Sequence, residues 1–415
     1  MSIDIKMAWR NIWRNPRRAI LTISAIAFAC TLLVFMFSFQ FGSYETMINS
    51  SVKIHTGHLQ VQAKDYLDKK SVHLVVRNPR TIGQILDKIE KVQAYTYRSN
   101  AFSLISSKSR TYGCIVIGID QAREAKVTTL KSLIRKGSYL SENSSDEVLI
   151  GRLLAKNLKV EIQDELTLLG QARDGSIAAS VVKIKGIYSS GIDDIDRSSI
   201  HMPLKYFDEI YSMNGAVHEV VVTGKSLSDV DQIKTLIGAE IEKITKHTSK
   251  HPLTVLDWKQ LSPGLLQSIQ LDLAGGIIFY LILIMVVAFS ILNTFLMVIF
   301  ERTREFGVLK ALGITPGRLT KLLLIESITM TMIGIISGII TGIIITIYFQ
   351  AQGIDISGAS ELLRQFGISG RIYPSLSLLS VISGPGAVFI ITLLSALYPA
   401  FKIRGISPVD AMTAI

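Results

Sequence analysis

Three short clusters in this 415-residue chain have residue types that could do chemistry. Gly224-Lys225-Ser226 reads like the end of a phosphate-binding loop. Such a loop needs a glycine five residues before its second one, so that backbone amides can cradle phosphate. That position is Glu219. His55 and His58 lie three apart, and on a strand they would point to opposite faces. His247 and His251 lie four apart, but Pro252 follows and no third ligand is evident. All four read as solvated loop histidines. Asp193, Asp194 and Asp196 crowd one loop, Gly191–Arg197, without the spacing of a calcium loop, and read as an acidic turn. No Ser/His/Asp or Cys/His set occurs. The expectation is a chain with no catalytic residues, no metal site, no cofactor of its own and no enzymatic activity.

The elements around these clusters are more telling. Leu273–Phe300 contains no Asp, Glu, Lys, Arg or His, and Leu322–Phe349 contains only Glu326. Ala19–Phe41 and Leu376–Phe401 are also uncharged, the last interrupted by Gly384-Pro385-Gly386, which suggests a kink. Each run reaches the roughly 20 residues that cross a bilayer as a helix. Four spans with both termini on one side follow. Lys6, Arg10, Arg14, Arg17 and Arg18 flank the first span, Arg302, Arg304, Lys310, Arg318 and Lys321 follow the second, and Lys402 and Arg404 follow the fourth. That excess of short-loop cations puts both termini and the second loop in the cytosol. Residues 42–272, with 30 basic and 26 acidic residues, then lie outside. The net charge of +11 is thus a topology signal rather than a nucleic-acid footprint. The first span is too long for a signal-peptide core and reads as uncleaved. Cys30 falls in a span and Cys114 outside, so no disulfide is expected between them.

The fold class expected is an α-helical membrane protein with four transmembrane helices and a large α+β domain between the first two. Its parts are an amphipathic helix over 1–16, spans over 17–45, 269–300, 319–350 and 376–401, a domain over 46–268, a charged loop over 301–318, an outer loop over 351–375 and a tail over 402–415. In the first part Ile5, Trp9, Ile12 and Trp13 share one helical face and Lys6, Arg10, Arg14 and Arg17 another, as suits the inner leaflet. The domain reads as two α/β halves around a β-rich insert. One half has a strand near Leu59–Gln62, a helix over Arg80–Val92 and a strand at Cys114–Ile119. The other has a strand at Glu219–Thr223, a helix over Ser228–Ile244 capped by Ser228, and a strand near Leu253–Leu256. The insert is a hairpin, Glu165–Leu169 with Ser180–Gly186, around Arg173-Asp174-Gly175. A helix is expected around Ser360–Phe366. Gly334, Gly338 and Gly342 recur every fourth residue and predict a close helix-packing face. Glu326, a carboxylate inside a span, is read either as a structural ion-pair partner or as a conformational element.

The charged segment between the second and third spans, Glu301-Arg302-Thr303-Arg304-Glu305-Phe306-Gly307-Val308-Leu309-Lys310-Ala311-Leu312-Gly313, closely resembles the cytosolic loop of FtsX-like ABC-transporter permeases. Tyr398-Pro399-Ala400 through Ile406-Ser407-Pro408-Val409-Asp410-Ala411-Met412 resembles their tail, and Trp9-Arg10-Asn11-Ile12-Trp13-Arg14-Asn15-Pro16-Arg17-Arg18 their N-terminal segment. Gly57-His58-Leu59-Gln60-Val61 and Gly186-Ile187-Tyr188-Ser189-Ser190-Gly191, with Asp194 and Asp196, are similar to the lipoprotein-releasing branch.

The resemblance implies a bacterial inner-membrane permease with a periplasmic domain. A separate ATPase dimer would bind ATP and Mg. It would grip a coupling helix through Glu301, Arg302, Arg304, Glu305, Gly307, Lys310, Leu312 and Gly313. A second permease copy or a paralogue would complete the complex. Lipidated protein or other amphipathic cargo would enter between the first and second spans, near Phe35, Phe39, Leu273, Ile277 and Phe279. Related permeases of this superfamily instead export peptides, drugs or lipids, or signal to cell-wall hydrolases. The hairpin at Gly170–Ser176 lies where lipoprotein-releasing permeases carry a hook for a periplasmic carrier, but here it is short and lacks proline.

Overall fold

The computed structural model describes residues 3–142, 145–245, 252–355 and 371–402. His247, His251, the Ser360–Phe366 segment and the tail after Lys402 lie outside the described residues. The chain divides into a helical unit, Met1–Tyr44 with Ile269–Asp355 and Arg371–Ile415, and a mixed unit, Glu45–Ser268 with Ile356–Gly370.

A leading helix, Ile3–Arg14, is followed by four long helices: Pro16–Ser51, Pro263–Ala311, Pro316–Gln352 and Leu378–Lys402. Each of the four contains a stretch long and apolar enough to cross a membrane. They are called the first to fourth spanning helices. Proline starts three of them, where a missing N–H costs nothing and φ is already helical. On the leading helix Ile12 is buried while Trp9 and Trp13 are each 46% exposed, so the expected apolar face is divided between packing and surroundings.

Two expectations about this unit change. The Glu301–Gly313 segment is not a helix of its own. Its residues to Ala311 prolong the second spanning helix, because Glu, Arg, Leu, Lys and Ala all favour helix and no residue breaks the ladder. Termination comes at Gly313, where φ is +89°, with the Ile314 amide bonded back to the Leu309 carbonyl at 3.0 Å. This is the left-handed stop that glycine takes without strain. In the fourth helix the interruption at Gly384-Pro385-Gly386 is one of sequence only, since the residues there are all helical.

The mixed unit is built on one sheet of ten strands: β1 Leu59–Ala63, β2 Val92–Ser106, β3 Thr111–Ile119, β4 Ile134–Gly137, β5 Glu147–Gly151, β6 Glu165–Gln171, β7 Ile177–Tyr188, β8 Ser199–Pro203, β9 Glu219–Gly224 and β10 Leu253–Asp257. Their order is β10-β1-β9-β2-β3-β8-β5-β7-β4, with β6 pairing β2 and β7. The two halves expected around an insert are therefore not separate. β1 lies antiparallel between β9 and β10, and the β6–β7 hairpin joins the same sheet through β2. The helix expected over Arg80–Val92 stops at Leu86 and Val92 opens β2, because Val92-Gln-Ala-Tyr-Thr-Tyr alternates at the strand period. Ser226, not Ser228, caps the turn that leads into helix Val230–Thr245, accepting from the Ser228 amide.

Apolar clusters form around the sheet, and polar groups are buried among them. Arg98, 1% exposed, makes a two-pronged pair with Glu124 at 2.5 and 3.1 Å and donates to the His55 carbonyl, at the end of the π-helical turn Val52–Thr56. His58 is not solvated: its Nδ1 accepts from the Gly224 amide at 3.0 Å and its Nε2 lies 3.1 Å from Asn49 Oδ1. His218 is held the same way, by the Asn100 amide at 2.9 Å and the Val72 carbonyl at 3.1 Å. Burial pushes the basicity of these rings down, His58 and His218 to about 4 and His201, which also faces Arg98, to about 3. Burial moves the Glu219 carboxyl the other way, above its ordinary range.

Residues 46–268 expressed alone are expected to unfold in one cooperative transition. The three buried histidines stay neutral in the fold but protonate at about 6.5 when unfolded. Their contribution is complete above that pH and is lost as pH falls from 6.5 toward 4. His55, pushed down to about 3 by burial, acts in the same direction, so Glu219 opposes as one group against four. Calorimetry should show the midpoint dropping by at least about 5 °C between pH 7.5 and 5, since 1 kcal/mol moves a domain of this size by about 2–4 °C. A flat or rising profile contradicts the assignment.

Candidate functional site

The candidate site of the helical unit is the cluster where the charged end of the second spanning helix meets the first. Arg14 ends the leading helix and Arg18 lies in the first turn of the first spanning helix, while Glu301 and Glu305, four residues apart on the second, share one helical face. Arg14 grips both oxygens of Glu305 at 2.5 and 2.7 Å. Arg18 reaches Glu301 at 2.8 Å and the Thr294 carbonyl at 2.9 Å. Arg302 lies behind them, 8% exposed, with Nε 3.1 Å from Glu305 and Nη1 3.3 Å from Glu326 of the third spanning helix. A cavity of about 30 Å³ touches Arg14, Arg18, Arg302 and Glu326, room for a single water among groups that can bond it. Glu326 is thus an ion-pair partner. The pair is buried, where losing one member leaves an uncompensated charge.

The eight residues attributed to the coupling segment therefore do different things. Glu301, Arg302 and Glu305 are tied into this cluster. Gly307 is buried. Arg304, Leu312 and Gly313 face outward, Leu312 at 75% exposure, and Val308 joins them at 44%. Lys310 is helical. The end of the second spanning helix thus has an exposed side with Arg304, Val308 and Leu312 and an inner side of paired charges.

Gly334, Gly338 and Gly342 all face the first spanning helix. A Cβ at Gly334 would stand 2.8 Å from Ile26 Cβ, one at Gly338 2.5 Å from the Ala27 carbonyl and 2.6 Å from Cys30 Cβ, and one at Gly342 2.9 Å from Val34 Cβ. Thr31 adds a hydrogen bond to the Gly338 carbonyl at 3.1 Å. The fourth helix joins through Ser38–Ser380 at 3.0 Å and through Gly384, which abuts Leu33.

The five candidate cargo residues are not brought together. The Phe35 ring stacks on Phe39 and meets Phe349 of the third helix at 5.6 Å. Ile277 and Phe279 are about half exposed on the second helix, and Leu273 is partly buried. The seam between first and second helices is lined instead by Phe37, whose ring lies 4.3 Å from Tyr280, because two residues along a helix turn the side chain to a different face. A group of four polar residues in this seam, Gln40, Tyr44, Asp272 and Tyr280, was not singled out from sequence. Asp272 precedes the uncharged run by one residue, the single signal available.

The described residues of the early clusters take structural places. Gly224-Lys225-Ser226 ends β9 and turns into the cap at Ser226. Asp196 is buried, accepting from the Ser190 amide and hydroxyl at 2.7 Å each and from Ser189 at 3.1 Å. No group of three or more metal-binding side chains occurs among the described residues. Cys30 and Cys114 are free. The Gly170–Ser176 hairpin is tied down: the Arg173 amide donates to the Tyr211 carbonyl at 3.0 Å and its guanidinium to the Met213 carbonyl.

Two family models match. The MacB-like periplasmic core domain covers residues 19–240, and the FtsX-like permease C-terminal domain covers 277–408. The chain belongs to the FtsX- and MacB-type family of ABC-transporter permeases. It is 22% identical over 312 residues to the lipoprotein-releasing system transmembrane protein LolC of Xylella fastidiosa, covering 71% of each chain. It is 19% identical to LolE of the same system in Haemophilus influenzae over the full length of both. It is 22% identical to the macrolide export ATP-binding/permease protein MacB of Wolinella succinogenes, covering 99% of this chain and 60% of that one. Among solved structures, the extracellular domain of the Gram-positive transporter YknZ covers 49% of this chain and 100% of that one at 13% identity and a TM-score of 0.36.

Replacing Arg302 with Met should lower the stability of the detergent-solubilised protein by about 3–5 kcal/mol, because Glu326 loses its ion-pair partner, and Glu326→Leu in the same chain should restore most of it. Gly338→Ala should destabilise the helical unit, whereas Gly317→Ala, with open space around it, should not. Equal thermal midpoints for the two alanine variants would refute the close approach of the first and third helices.

Proposed function

We propose that this chain is the permease subunit of an ABC transporter that extracts lipid-modified protein from the outer leaflet of the bacterial inner membrane. Both termini are cytosolic and the mixed unit is periplasmic. ATP and Mg belong to a separate ATPase dimer, and a second permease subunit completes the assembly. The observation that carries this reading is the unbroken second spanning helix, Pro263–Ala311. Its 49 residues measure about 74 Å at the α-helical rise, more than twice the hydrocarbon thickness. A displacement of its cytosolic end is transmitted along the helix as a rigid body, so ATP-driven work reaches the other side while the cargo never crosses the bilayer. Identity to LolC and LolE over most of the chain supports lipoprotein as the cargo.

Arg304, Val308, Lys310, Leu312 and Gly313 form the face that meets the ATPase. Glu301, Arg302 and Glu305 pass its motion to the first and third helices. Arg304→Glu should weaken co-purification of the ATPase. Glu305→Arg should leave the ATPase bound but uncouple its hydrolysis from transport. Normal binding and coupled turnover in both variants would defeat this division. Cargo is expected along the first–second seam. A photo-crosslinking residue at Ile277 should capture lipidated protein in cells. Capture confined to Ile344 and Ile347 of the third helix, with none at Ile277, would place the cargo elsewhere.

A further inference from the structure

The half of the first–second seam nearer Ser51 and Ser268 contains a closed set of hydrogen bonds in otherwise apolar surroundings. Gln40 stands at its centre. Its amide nitrogen donates to Tyr44 Oη at 2.8 Å and to Asp272 Oδ2 at 3.3 Å, and its amide oxygen accepts from Tyr280 Oη at 2.8 Å. Tyr44 Oη donates in turn to Asp272 Oδ2 at 2.6 Å. Two members lie on the first spanning helix and two on the second, so the helices cannot part here without breaking at least three bonds. Gly276 makes room for it: a Cβ there would lie 2.5 Å from Gln40 Nε2. The neighbouring Gly275 faces open space. Below the set, Phe37 on Tyr280 closes the seam with apolar contact.

We propose that Gln40, Tyr44, Asp272 and Tyr280 form a polar latch that holds this seam shut in the resting permease. The inference rests on the seam being the cargo path. Tyr44 and Tyr280 are buried in the seam while Asp272 keeps an exposed side, and separating the helices leaves a carboxylate, two hydroxyls and an amide to be satisfied anew. An acylated protein supplies such groups: its ester and amide carbonyls accept from Gln40 and the tyrosines, and its amide N–H donates to Asp272. A bare hydrocarbon chain supplies none. The latch therefore admits amphipathic cargo with a hydrogen-bonding head beside its acyl chains and excludes purely apolar lipid.

The test uses the full-length chain in nanodiscs, spin-labelled at Phe39 and Ile278 and measured by pulsed dipolar spectroscopy without cargo or nucleotide. Gln40→Leu should raise the population with a wider seam about tenfold, the scale expected for the two inter-helix hydrogen bonds it removes. Gly276→Ala should do likewise by displacing the Gln40 amide, at no cost to helix propensity, while Gly275→Ala should not. Asp272→Asn, which keeps an acceptor for Tyr44, should retain the closed distribution. Unchanged distances in Gln40→Leu and Gly276→Ala would overturn the latch, and so would equal opening in Gly275→Ala. Because this readout needs no cargo, a seam that opens as expected but captures no lipidated protein at Ile277 refutes the cargo assignment and leaves the latch standing.

Discussion

The close approach of the first and third spanning helices is the constraint on which the helical unit depends. Between helices in lipid there is little hydrophobic driving force, and association comes from contact. Gly334, Gly338 and Gly342 remove three side chains from one face and let Ile26, Ala27, Cys30 and Val34 fill the space. With the first helix fixed there, its other faces are set by rotation alone. Ser38 then meets Ser380 of the fourth helix, Phe37 and Gln40 meet the second, and Arg18 reaches Glu301 and Thr294. The first spanning helix is the hub, and the charged cluster at one end and the polar seam toward the other both follow from its orientation.

That arrangement separates two roles within thirteen consecutive residues. From Glu301 to Gly313 every third or fourth side chain turns inward. Arg302 goes to a buried carboxylate and Glu305 to Arg14, while Arg304, Val308 and Leu312 are left outside. Exposed ion pairs contribute little to stability, but a buried one fixes geometry at a high cost for mispairing. Arg302–Glu326 is the part of the cluster that sets register between the second and third helices. Arg14–Glu305 and Arg18–Glu301 are more exposed and fix less.

The spans were legible because uncharged runs of this length have one physical use, and the glycine spacing was legible because it repeats. The charged segment was visible as a unit of composition but not as a prolongation of the helix before it, since nothing in ERTREFGVLKA marks a boundary and none exists. Residues 35 and 37 look alike in a hydropathy profile, and only packing decides that Phe37 meets Tyr280 while Phe35 meets Phe349. In the mixed unit the strands Leu59–Ala63 and Glu219–Gly224 were readable from their apolar residues. Their pairing was not, because register between strands 160 residues apart is set by the whole sheet. His58 looked like a loop residue for the same reason: its partner Gly224 is distant in sequence.

The strand order has a consequence for how this protein is made. β1 is buried along its whole length, and both of its neighbours, β9 and β10, are synthesised after nearly all the rest of the domain. During translocation the stretch Leu59–Ala63 therefore emerges early and waits unpaired, its ladder groups and apolar side chains open, until Leu253–Asp257 has followed. Such long-range closure is slow and exposes the nascent chain to wrong partners. The period of greatest vulnerability ends only when the second spanning helix reaches the translocon, so insertion of that helix and completion of the sheet are events of the same moment in biogenesis.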